Sequence, residues 1–362
     1  RLGEAIQRLS AAADRVELVV AGRPLVLAAD PAPADGLRRH GDELVGSGEA
    51  DHAVNVLAGG PPRWLRDTVR QALEQDAAAY PDERAAVSAV AKLHSRQPNE
   101  VVPTNGAAQA LWLLPAALRP SLAACIHPDF TEGEAALRAH GIPVTRLLRD
   151  PGRDFAVDPT AVPDAADLVL VGNPASPSGR LEPAAALLAL RRPGRTVVVD
   201  EAFMNLVPGE PESLVTQQLP DVIVVRSLTK ALSVPGLRVG YAVTSPPLAQ
   251  RLRAVRPPWS VNALALAALA AAAGRPDALA GAAVRAQSER EDLMRGLTGI
   301  RRLRAWPSCA NFCLVEVPDG PRVTARLRSQ GIAVRPADSF PGLSARHLRL
   351  TARGPAANAH LV

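Results

Sequence analysis

The sequence predicts an α/β protein, a large domain built on a mostly parallel sheet covered by helices, with a smaller α+β domain after it. Three observations carry that prediction. Alanine-rich stretches with helical spacing alternate with short β-branched runs, the pattern of strands joined by crossover helices. The runs Leu168-Val169-Leu170-Val171, Thr196-Val197-Val198-Val199 and Val222-Ile223-Val224-Val225 are almost wholly apolar, as strands covered on both faces are. The chain has 362 residues, 47% of them hydrophobic, enough for one large core and a smaller second one.

In chain order, residues 1–36 read as an extension that closes in the linker Ala32-Pro33-Ala34-Asp35-Gly36, and residues 37–60 as an arm. Residues 61–245 form the large domain and residues 246–362 the small one. Thr104-Asn105-Gly106-Ala107-Ala108-Gln109 precedes the helical run 110–118, which puts a glycine turn at a helix N-terminus. The three strands end in Gly172-Asn173-Pro174, Asp200-Glu201 and Ser227-Leu228-Thr229-Lys230. In open α/β sheets the ligand crevice lies beyond the carboxyl ends of the strands, so Asn173, Asp200 and Lys230 are expected to converge there. Residues 261–273 are alanine-dominated and too short to span a bilayer, and residues 356–362 read as an unfinished helix.

Composition narrows the function. The net charge is +5 with a pI near 9.7, yet the arginines are interspersed with acidic residues and only four Trp, two Tyr and five Phe are available for base stacking. Nucleic-acid binding is therefore not expected, and no membrane segment is. Cys125, Cys309 and Cys313 have neither metal-ligand spacing nor an even count, so neither a metal nor a disulfide framework is expected, and the protein is read as cytoplasmic.

Of forty-one Lys and Arg residues only Lys92 and Lys230 are lysines. Arginine carries surface charge equally well but cannot give up a proton and attack a carbonyl. Lys92 lies in a polar stretch; Lys230 lies among small and apolar residues, and is the candidate amine. Its companions fit pyridoxal 5'-phosphate (PLP). Lys230 would condense with the cofactor aldehyde, Asp200 would pair with the pyridine nitrogen, and Asn173 would donate to the ring oxygen. Backbone N–H groups from Gly106 through Ala107 and Ala108 to Gln109 would cradle the phosphate at a helix N-terminus, with Ser227, Thr229 and Arg238 adding hydroxyls and a cation.

These residues resemble the fold-type-I aminotransferase superfamily in its histidinol-phosphate aminotransferase-like branch. Gly172-Asn173-Pro174-Ala175-Ser176-Pro177-Ser178-Gly179 is similar to the family's Asn-Pro-x-x-Pro-x-Gly segment, and Arg238 stands eight residues after Lys230, as in the family. The resemblance runs from about His40 to the C-terminus. It implies a fold-type-I PLP-dependent transferase fold, with Phe130 of His127-Pro128-Asp129-Phe130 stacked on the cofactor ring. It also implies a homodimer in which Tyr80 of Tyr80-Pro81-Asp82 reaches the cofactor phosphate of the neighbouring subunit.

Within that superfamily, Asp200-Glu201-Ala202-Phe203 departs from the usual Asp-x-x-Tyr, and the segment from Asp200 to Pro208 resembles the threonine-phosphate decarboxylases of cobalamin biosynthesis. His40-Gly41-Asp42 and Asp51-His52-Ala53-Val54-Asn55 are similar to those enzymes' N-terminal arm, with Asp42 and His52 as departures. The resemblance implies that Arg349 binds a substrate carboxylate, that Arg335, His40 and Asn55 serve a substrate phosphate, and that Asn173 also contacts substrate. Residues 1–28 resemble the end of adenosylcobinamide kinase/guanylyltransferase, read as a fusion remnant; the chain has no Gly-x-x-x-x-Gly-Lys-[Ser/Thr] motif for kinase activity. The leading expectation is PLP-dependent decarboxylation of L-threonine O-3-phosphate. The alternatives are a histidinol-phosphate or related aminotransferase, using the same cofactor site, and a non-catalytic partner fused to a cobinamide kinase.

Overall fold

The computed structural model describes residues 15–20, 23–29 and 36–362. Strands β1 (Arg15–Val20) and β2 (Arg23–Ala29) pair antiparallel with each other. Residues 1–14, the first half of the kinase-like segment, and residues 32–35 of the linker lie outside the described residues.

The chain then forms β3 (Ala50–His52), α1 (Arg63–Asp76), α2 (Arg84–Leu93), β4 (Val101–Asn105), α3 (Gly106–Leu118), β5 (Ala123–His127), α4 (Glu132–Ala139) and β6 (Val144–Leu148). Next come β7 (Leu168–Gly172), α5 (Ala184–Leu188), β8 (Thr196–Asp200), β9 (Val222–Ser227), β10 (Val239–Thr244), α6 (Pro246–Val255) and α7 (Ala263–Ala273). The remainder is α8 (Pro276–Leu297), β11 (Arg304–Ala305), β12 (Phe312–Glu316), α9 (Gly320–Ser329), β13 (Ile332–Pro336), β14 (His347–Thr351) and α10 (Pro355–Leu361).

The larger sheet has the order β4-β10-β9-β8-β7-β5-β6. Its pairings from β9 through β8, β7 and β5 to β6 are parallel, and β10 alone runs antiparallel to both neighbours. No helix crosses over between β9 and β10, and a connection that returns directly to the next strand makes it antiparallel. The period-2 alternation of the strands divides their side chains between two cores: Val169, Val171, Val197 and Val199 in one, Leu168, Leu170, Val198 and Ile223 in the other. Helices cover both, which explains the unbroken apolar runs in the sequence.

The smaller sheet has the order β11-β12-β14-β13-β3. Its edge strand β3 comes from the arm and pairs parallel with β13, so the arm is built into the small domain. The packing changes later than the sequence boundary at residue 246. Helix α7 is apolar all round, and its Ala265, Leu266, Ala268 and Leu269 join the core of the large layer against α1 and α2. Alanine's small side chain permits this close approach, and α6 likewise packs on α3. Residues 246–273 therefore sit on the large layer, and α8 runs from it, with Leu279 in the same core, to the smaller sheet, with Leu293 and Leu297 in the core there. Among the described residues no single helix is long and apolar enough to cross a membrane.

Candidate active site

The carboxyl ends of β8 and β9, the N-terminus of α3 and the arm surround a cavity of about 600 Å³. Lys230, Asp200, Ser227, Thr229, Arg238, Ala107, Ala108, Phe130, His40, Asn55, Arg335 and Arg349 all line it. That is the set of side chains the sequence singled out, except Asn173 and Tyr80, with Gly106 directly behind the wall.

At the reactive end, Lys230 Nζ lies 3.5 Å from Ser227 Oγ and 4.9 Å from the centre of the Phe203 ring. Burial pushes the amine down from 10.5 to about 8; Asp200 opposes that shift, and Arg238 and Arg349 add to it. Burial likewise pushes the Asp200 carboxyl up from 3.8 to about 6, with Lys230 opposing and Asp129 reinforcing the shift. Asp200 accepts a hydrogen bond from Ala202 N at 3.0 Å. A carboxylate and an amine both held near neutrality in one cavity mark a reactive centre.

The opposite wall is an anion cradle. Gly106 opens α3 with φ +74°, and a Cβ there would lie 2.5 Å from Arg238 Nη2. A Cβ at Gly240 on β10 would lie 2.7 Å from Ala107 N, so this strand passes the helix terminus with no side chain between them. No side chain caps α3, which leaves the first-turn N–H groups without intrahelical acceptors. Arg238 adopts the left-handed region, φ 60° and ψ 61°, which is costly for a residue that carries a Cβ, and its guanidinium lies at that terminus.

The residues present fit PLP. The α3 terminus with Arg238, Ser227 and Thr229 would hold its phosphate, Asp200 its ring nitrogen, Phe130 its ring face and Lys230 its aldehyde. When bound, the cofactor supplies an electron sink for the bonds at the substrate's amine-bearing carbon.

Asn173 does not reach the cavity. Its Oδ1 accepts from Glu182 N at 2.8 Å and its Nδ2 donates to the Glu182 and Glu212 carbonyls at 3.3 and 3.4 Å, so the amide braces the loop after β7. Ser176, three residues on, lines the cavity instead and accepts from Arg349 Nη1 at 3.2 Å. Tyr80 lies away from its own chain's cavity, 76% exposed and stacked on Trp259 with ring centres 4.4 Å apart.

Two arginines enter the cavity from the smaller sheet. Arg335 on β13 and Arg349 on β14 are paired across the strands, and both are buried. Burial lowers Arg335 to about 10, with Arg39 adding to the shift, and lowers Arg349 to about 9, with Arg335 adding to it. Like charges placed opposite each other in a sheet are destabilising, and an anion bound between them would offset that cost. Arg349 Nη2 donates to Ala53 O at 2.8 Å, while its buried Nε has no partner among the described residues. Arg335 Nη2 donates to Arg39 O at 2.5 Å and to Ser339 Oγ at 2.7 Å. Asn55 Oδ1 accepts from Thr351 Oγ1 at 2.7 Å. Ser176 and Glu132 are cavity residues that sequence reading missed. Glu132 lies two residues beyond Phe130 and faces His40, a contact between positions 92 apart that no local pattern announces.

Comparison with known proteins identifies the family. Residues 45–362 match the family model of class I and II aminotransferases. A histidinol-phosphate aminotransferase of Mycobacterium tuberculosis is 45% identical over 336 residues, 91% of this chain and 90% of the relative. A threonine-phosphate decarboxylase of Salmonella typhimurium is 30% identical over 76% of this chain and 78% of its own length. Among solved structures, the histidinol-phosphate aminotransferase of Clostridium acetobutylicum superposes with a TM-score of 0.80 at 22% identity, covering 86% of this chain and 97% of that one, a likeness of fold. The family match begins at residue 45 and lends no support to the kinase-like reading of residues 1–28. The chain belongs to the class I and II aminotransferases, enzymes that work with pyridoxal 5'-phosphate.

Proposed function

We propose that the protein is an aminotransferase for a phosphorylated amine of the histidinol-phosphate type, with a 2-oxo acid as acceptor. The observation that carries this reading is the 45% identity, over 91% of the chain, to a relative named for this activity, together with a cavity that brings Lys230 and the opposed pair Arg335 and Arg349 together. Amino transfer asks one cavity to take two substrates in turn, a phosphate-bearing amine and a carboxylate-bearing acceptor, and two guanidiniums serve both. The 45% identity to a relative named for this activity supports the choice of substrate.

In this reading Lys230, held near neutrality, moves the proton at the substrate's amine-bearing carbon, and Asp200 keeps the cofactor nitrogen protonated. Arg349 and Ser176 orient the acceptor's carboxylate. Arg335, His40 and Asn55 take the phosphate, the remote group whose binding fixes which bond is broken.

Decarboxylation of L-threonine O-3-phosphate is the second reading, and Phe203 favours it. This ring lies against Lys230 at the sequence position where Asp-x-x-Tyr has its tyrosine, and a threonine-phosphate decarboxylase is 30% identical. Product analysis separates the two. The amino-transfer reading expects histidinol phosphate to be consumed and glutamate formed with 2-oxoglutarate; carbon dioxide from L-threonine O-3-phosphate, with no glutamate formed, overturns it.

A further inference from the structure

The site contains a buried carboxylate that the proposed reaction does not use. Glu132 opens α4 and is 6% exposed. Its Oε1 lies 2.8 Å from His40 Nε2, and its Oε2 accepts from Trp112 Nε1 at 2.6 Å. Burial raises its pKa, but the hydrogen bonds from His40 and Trp112 outweigh burial and hold the carboxyl below its usual range. Glu132 is therefore ionised and only accepts. The His40 nitrogen facing it carries a proton, and the other, Nδ1, has no hydrogen-bond partner among the described residues.

The surrounding arm is fastened to the same place. Thr131 Oγ1 donates to Leu37 O, and the Arg38 guanidinium lies 5.5 Å from the centre of the Trp112 ring. From the small-domain side, Arg335 Nη2 donates to Arg39 O. One indole thus holds Glu132 through its N–H and Arg38 through its face, and Glu132 in turn holds His40, which lines the same cavity as Arg335.

We propose that Glu132 is a positioning residue, which with Trp112 holds His40 so that the second imidazole nitrogen meets the phosphate of the substrate. The inference rests on the reading that the substrate carries a phosphate. A ring that donates on both sides, to Glu132 and to a bound phosphate, makes charge-assisted bonds that are stronger than neutral ones. Fixing the ring in advance spares the ordering cost that a free arm side chain would meet on binding.

Inorganic phosphate is the probe, titrated by calorimetry into holoenzyme of wild type, Glu132→Gln, His40→Ala and the double variant. Phosphate should bind about tenfold more weakly to each single variant, about 1.4 kcal/mol, and the double variant should be no weaker than His40→Ala. A Glu132→Gln enzyme that binds phosphate as wild type does, losses that add in the double variant, or no phosphate binding to wild type overturns the proposal. If Glu132→Gln does not fold, Trp112→Phe keeps the ring and drops its N–H; its phosphate affinity should fall, and should not fall beyond that of His40→Ala when the two are combined. Failure of both histidinol phosphate and L-threonine O-3-phosphate to react would remove the functional reading while leaving this comparison of phosphate affinities decisive on its own.

Discussion

Asp200 shows at the scale of one residue how the site trades stability for chemistry. Below pH 3.8 its carboxyl is protonated in both folded and unfolded chains and contributes nothing. Between 3.8 and about 6 the unfolded chain releases the proton while the folded one keeps it, so stability falls as pH rises. Above about 6 the full cost is present, up to about 3 kcal/mol for a shift of about two pKa units. Asp200→Asn is therefore expected to raise the melting temperature of cofactor-free protein at pH 7 and to leave it unchanged at pH 3.5, as scanning calorimetry would record. The same variant should lose most of its turnover when loaded with cofactor. Equal melting temperatures at pH 7 would show that the buried carboxylate carries no such cost. At this scale the sequence was highly legible for Lys230 and Asp200, because a scarce lysine and a carboxylate closing an apolar run are local facts. It was not legible for Ser176, which lines the cavity and accepts from Arg349, a residue 173 positions away.

At the scale of elements, the α3 terminus depends on the absence of side chains. Gly106→Ala would bring a methyl group within 2.5 Å of the Arg238 guanidinium and strain a backbone at φ +74°. A strain and displacement of about 3 kcal/mol corresponds to cofactor binding roughly 100-fold weaker, measurable by titrating PLP into cofactor-free protein. Affinity within threefold of wild type would show that the cradle lies elsewhere. The strands were readable because β7, β8 and β9 are covered on both faces and run apolar without a break. Two placements were not readable. Helix α7 follows the large domain's last strand in a region assigned to the small domain, and only its packing against α1 and α2 shows where it sits. The pairing of β3 with β13 joins residues nearly 300 positions apart, beyond any periodicity.

At the scale of the whole molecule, Tyr80 and Trp259 form a stacked aromatic pair, 76% and 60% exposed, with Trp259 at a positive φ of 53°. Two large rings held together in solvent, one of them in a costly backbone conformation, are expected to meet a second copy of the chain. The proposed homodimer predicts that Tyr80→Ala combined with Trp259→Ala shifts the protein toward monomer in sedimentation velocity and weakens its hold on PLP. An unchanged dimer that retains its cofactor would remove Tyr80 from the shared site.

The central claim is that this cavity transfers an amino group, and a single-turnover measurement tests it most directly. Holoenzyme mixed with excess histidinol phosphate and no acceptor should consume one equivalent per active site and stop, because the amino group stays on the enzyme until a 2-oxo acid removes it. Adding 2-oxoglutarate should release the block and yield glutamate. Many equivalents of carbon dioxide per site from L-threonine O-3-phosphate without any acceptor, together with no consumption of histidinol phosphate, would contradict the claim and identify a decarboxylase.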